Sequence, residues 1–109
     1  MKKQSLKTRV RKLPIQHEKI LTIDIWEFCD QPRELVEGKS RKTEYIKWRH
    51  LRNFIAYIQS GYHGRECARK FGMNHTTFIH SIREMCAAIE SKRTSSQLYP
   101  MYQKMIHNY

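Results

Sequence analysis

The chain has 109 residues, 21 of them Lys or Arg and 10 Asp or Glu, for a formal net charge of +11 at pH 7. That length suits one domain with a modest core, and no run approaches the ~18 consecutive apolar residues of a membrane span. Four Gly and three Pro leave little room for the tight turns of an all-β fold. Cys29, Cys67 and Cys86 form no CxxC, which argues against a disulfide framework or a zinc knuckle. They read as small buried apolar residues in a reducing compartment. The basic N-terminus is followed by no apolar h-region, so it does not read as a secretory leader. A cytoplasmic, nucleoid-associated protein is the expectation. A strongly basic domain of this kind most often meets a polyanion, and nucleic acid leads that list.

The charge is unevenly spread. Residues 1–12 carry six bases and no acid, residues 13–38 two bases and six acids, and residues 39–83 ten bases against Glu44 and Glu66. Residues 1–13 lack apolar periodicity and read as a flexible basic arm, with a helical domain over 14–109. From Pro14 to about Asp30, Ile15, Ile20, Leu21, Ile25, Trp26 and Phe28 recur at mostly helical steps, weakened by the β-branched run near Ile23. Gln31–Val36 reads as a turn and a short helical segment that ends at Gly38. A long helix is predicted over about Thr43–Ser60, where Tyr45, Trp48, Leu51, Phe54, Ile55 and Ile58 make one stripe and Lys42, Arg49 and Arg52 another face. Gly61 suits the residue after its end. A short helix over about Gly64–Lys70 follows, then a longer one capped by Asn74, burying Phe78, Ile79, Ile82, Met85, Cys86 and Ile89. A last helix is expected over about 96–108, with Pro100 in its first turn. The fold class is all-α, a compact domain of about five helices.

The segment Glu66-Cys67-Ala68-Arg69-Lys70-Phe71-Gly72-Met73-Asn74-His75-Thr76-Thr77-Phe78-Ile79 has helix-turn-helix grammar. Ala68 is small where two helices would cross, and Gly72 supplies the positive φ of a tight turn. Met73 and Phe78 pin the second helix to the first. Asn74, His75, Thr76 and Thr77 then stand at the start of the second helix, where such motifs present side chains to base edges. Arg69 and Lys70 read as phosphate-facing, or as an ordinary charged helix face.

Lys39-Ser40-Arg41-Lys42, then Arg49, then Glu66 through Gly72 and His75-Thr76-Thr77-Phe78-Ile79-His80 resembles the C-terminal DNA-binding domain of the bacterial replication initiator DnaA. That family joins a KSR-type basic loop, a long helix with an early Arg, and a helix-turn-helix closing on DHTT, two apolar residues and His. The resemblance spans roughly residues 17–108 and implies a helical, Trp-repressor-like domain that binds double-stranded DNA. It implies minor-groove contact by Arg41 and base contact in the major groove by Asn74, His75, Thr76 and Thr77. It implies phosphate contact near Arg49, with His50 beside it, and His80 and Arg83 match a His and an Arg further along the recognition helix; Lys39, Lys42, Arg69 and Lys70 are expected on the DNA backbone from their charge. The family usually reads GGRDHTT. Here Gly72-Met73-Asn74-His75-Thr76-Thr77 is one residue shorter, lacks the Arg and has Asn in place of Asp. Asp can only accept a hydrogen bond, whereas Asn donates and accepts and so favours adenine, which implies a shifted DNA box.

Other chemistries find little footing. Gly38-Lys39-Ser40 looks like the end of a P-loop, but the first Gly of that motif would fall at Arg33, so no nucleotide is expected. His75 and His80 are five apart, off the spacing of a helical metal pair, and neither a metal nor another cofactor is expected. No Ser lies in a G-x-S-x-G context and no acids pair specifically, so no enzyme is read. The expected function is sequence-specific DNA binding by a stand-alone initiator-like domain that regulates replication or transcription. The alternative is a protein-interaction module, or a transposase accessory, in which the 13–38 region docks a partner of the replication or mobile-element machinery. No membrane partner is expected.

Overall fold

A computed structural model describes residues 5–92 and 97–107. Among them are seven α-helices: α1 (Leu6–Arg11), α2 (His17–Ile20), α3 (Arg33–Glu37), α4 (Thr43–Gln59), α5 (Gly64–Lys70), α6 (His75–Ser91) and α7 (Leu98–His107). One 3-10 turn, Ile25–Glu27, lies between α2 and α3. No strand occurs among the described residues, so the fold is all-α as expected, with a helix, α1, where the sequence pattern predicts a flexible arm.

α4 is the axis of the molecule, and α2, α3, α5, α6 and α7 all pack on it. The apolar stripe predicted for it is present, with Trp48, Leu51, Phe54, Ile55 and Ile58 buried. From Leu51 onward the burial runs almost all the way round: Arg52 and Asn53 are buried too, at 6% and 0% exposure. Arg52 therefore belongs to the interior and not to a charged face with Lys42.

Two turns close in the same way. After α4, Gly61 takes φ 76°. Its N–H donates to the Ile58 carbonyl at 3.0 Å, while the Tyr62 N–H donates to the Tyr57 carbonyl at 2.8 Å. After α5, Gly72 takes φ 65°. It donates to Arg69 at 3.1 Å, and Met73 donates to Ala68 at 2.8 Å. This paired pattern satisfies the last carbonyls of each helix and needs a left-handed residue, which glycine supplies without strain. Asn74 then caps α6, its Oδ1 accepting from the Thr76 N–H at 2.8 Å. Ala68 is buried at 2% exposure where α5 and α6 meet.

The N-terminal part differs from its sequence reading. Residues 1–4 of the expected basic arm lie outside the described residues, but from Ser5 the chain is ordered and docked. Ser5 Oγ caps α1 by accepting from the Thr8 N–H. Val10 (0% exposed) and Leu13 enter the core, and Arg9 pairs with Glu90 of α6 at 2.6 Å. A six-residue helix cannot persist alone, so these contacts from α6 are what fold it. The Pro14–Asp30 stretch is also less helical than its spacing suggests. Helix α2 stops after one turn, Asp24 caps the 3-10 turn through the Trp26 N–H, and Gln59 Nε2 of α4 donates to the carbonyls of Ile20 and Ile23 at 2.8 and 2.7 Å. Gln59 thereby satisfies backbone that a continuous helix would have satisfied internally.

Candidate nucleic-acid interface

α5, the Gly72 turn and α6 form the predicted helix-turn-helix, and the interior of the molecule reaches out to hold its turn. Arg52 Nε and Nη2 donate to Asn53 Oδ1 at 3.1 and 2.9 Å, and Nη2 also reaches Met73 Sδ at 3.3 Å. The Arg52 guanidinium lies 4.0 Å from the centre of the Phe71 ring, within cation–π range. Asn53 Nδ2 donates to Ser81 Oγ at 3.1 Å, and Ser81 Oγ meets His50 Nδ1 at 2.7 Å. One polar seam thus runs from α4 through the turn to α6. Burial pushes the Arg52 guanidinium down to about 10, still charged at neutral pH. Sequence reasoning missed this seam. The available signal was an Arg-Asn pair lodged between Leu51 and Phe54, both on the core stripe.

The surface of α6 divides sharply. Phe78, Ile82, Met85, Cys86 and Ile89 are buried as predicted, while Ile79 is only half-buried. Thr76, Thr77, His80 and Arg83 are exposed. His80 comes within 3.8 Å of Glu84 one turn along. Arg69 and Lys70 are exposed at the end of α5, as are Lys39, Arg41 and Lys42 in the loop before α4. Gly38, Lys39, Arg49 and Arg52 share with Thr77 the walls of a cavity of about 340 Å³, so the basic loop lies beside the start of α6. Lys42 stands at the N-cap position of α4 and provides no side-chain cap.

Three predicted contact residues, Arg49, His50 and Asn74, are already hydrogen-bonded within the protein, and a fourth, His75, lies beside α5. Arg49 donates from Nε to the Val36 carbonyl at 2.5 Å and from Nη2 to the Leu35 carbonyl at 3.1 Å. It therefore ties down the end of α3, and burial lowers its pKa. His50 is half-buried against Ser81, and burial, its largest influence, lowers its pKa below the ordinary value of 6.5. A neutral imidazole at pH 7 brings no positive charge to a phosphate. His75 turns back toward α5, its Nε2 3.5 Å from where a Cβ on Gly64 would stand. Asn74 remains exposed, and its oxygen accepts the cap bond with one of its two lone pairs.

Among the described residues no group of three or more His, Cys, Asp or Glu stands close enough to hold a metal, and no helix is long and apolar enough to cross a membrane. No protein-family model matches the chain, and no curated protein or solved structure matches it.

Proposed function

We propose that the protein binds double-stranded DNA sequence-selectively through α6, regulating replication or transcription at sites related to initiator boxes. One observation carries the reading. The exposed face at the start of α6 (Thr76, Thr77, His80 and Arg83) lies beside a basic loop that ends at the uncapped N-terminus of α4. Cations at the positive end of a helix dipole are unfavourable by themselves, and a phosphate there relieves both the dipole and the unsatisfied N–H groups. In this reading α6 enters the major groove. Thr76 offers a methyl to thymine and Thr77 a hydroxyl to phosphate, Arg41 reaches the minor groove, and Lys39, Lys42, Arg69 and Lys70 hold the backbone.

Selection from a randomised duplex pool tests it: the protein enriches one motif, with affinity falling steeply as salt rises. The rival reading, a protein-interaction module, has in its favour the exposed Leu21 and Leu35 within the acidic 13–38 stretch. A wild-type protein that enriches no motif overturns the first reading in favour of the second.

A further inference from the structure

We infer that α1 is a second backbone-binding element, which grips the phosphates on the side of α6 opposite the Lys39–Lys42 loop. The inference rests on the DNA-binding reading above and adds to it a contact surface whose ligand is the sugar-phosphate ridge of a duplex.

The two flanks of α6 have different neighbours. Thr77 and Ser81 face the basic loop and α4. On the other flank, His75 and Ile79 share a pocket with Leu6 of α1 and with Tyr62, and Glu90 meets Arg9. The exposed residues Thr76, His80 and Arg83 lie between. An α-helix with its side chains is about 10–12 Å across, and the major groove of B-DNA is about 12 Å wide. A helix seated there fills the groove, so whatever packs on either flank stands over a phosphate ridge. The loop occupies one such position and α1 the other.

α1 is built to hold that position. Val10 is fully buried, and Arg9 grips both carboxylate oxygens of Glu90, Nε to Oε2 at 3.0 Å and Nη2 to Oε1 at 2.6 Å. The same contact holds the Glu90 carboxyl below its ordinary pKa and the pair ionised. With Arg9 neutralised, the exposed charges that follow the turn are of one sign: Lys7, Arg11 and Lys12. Lys7 Nζ stands 5.7 Å over the ring of Tyr62, a residue kept at φ 71° by the closure of α4. A docked helix that exposes only positive charge beside a recognition helix fits a polyanion.

The test is a full-length variant with Lys7→Gln, Arg11→Gln and Lys12→Gln, titrated against the duplex motif selected by the wild type across a salt series. Loss of about three phosphate contacts lowers the slope of log K against log salt by about 2–3. Phosphate-ethylation interference is expected to disappear on one side of the site, with the enriched motif and the melting temperature unchanged. If the wild type enriches a motif and the variant keeps both slope and interference pattern, α1 only packs and the inference is overturned while the DNA reading stands. If the wild type enriches no motif, the reading fails and the inference with it.

Discussion

α4 and α6 are both 17 residues long, yet a group of polar side chains on each has an opposite fate. Along α4, Arg49, His50, Arg52 and Asn53 all bond within the protein: to the end of α3, to Ser81, to the Gly72 turn and to one another. Along α6, Thr76, Thr77, His80 and Arg83 stay on the surface. α4 is surrounded by other helices, so a polar group there must find an internal partner or bear the cost of desolvation. α6 has neighbours on both flanks but leaves one face, at Thr76, His80 and Arg83, uncovered. The comparison separates residues that hold α6 in place from residues left on the surface, which composition and motif spacing do not distinguish.

The largest expected effect breaks the holding side. Asn53→Ala removes the acceptor for Arg52 and the donor to Ser81, leaving buried groups that each cost about 1–3 kcal/mol unpaired. Urea denaturation of this variant should show a loss on the order of 2 kcal/mol or more, whereas Thr77→Ala on the exposed face should stay within about 0.5 kcal/mol of the wild type. Asn74→Ala sits between the two sides. It removes the cap of α6 and should cost about 1 kcal/mol in the same measurement.

The smallest effect sharpens the comparison through pH. Burial lowers the pKa of His50 in the folded protein, so the unfolded chain takes up this proton first. Stability from a neutral His50 is complete above the unfolded value and declines as pH falls below about 6.5, until the folded group also protonates. His50→Gln should flatten that part of the profile in melting scans from pH 7.5 to 5. Equal slopes for the two proteins would remove His50 from the holding side.

Much of the fold was legible because its signals are local. Gly61, Gly72 and Asn74 marked helix ends through their own backbone preferences, and the boundaries of α4, α5 and α6 follow from them. What was not legible depends on partners far along the chain. Residues 5–13 looked like a free arm because Arg9 meets Glu90 from 81 positions away. Arg49 and His50 looked like phosphate contacts because the resemblance matches Arg49 to the early Arg of a long helix, with His50 beside it. Their actual partners, Val36 and Ser81, come from other helices. His75 read as a base contact from its place in the motif, and only the packing of α5 against α6 brings it, half-buried, beside Gly64. The candidate site was thus visible as a region, but its division into holding and contacting residues was not.

The most direct test compares the wild type with Thr76→Ala in competition between the selected motif and a scrambled duplex, with melting temperature measured in parallel. The account predicts unchanged melting and a selectivity lower by about 4-fold, the value of about 0.8 kcal/mol for one methyl group withdrawn from contact with thymine. Undiminished selectivity in a folded Thr76→Ala protein would contradict the assignment of α6 as the reading helix.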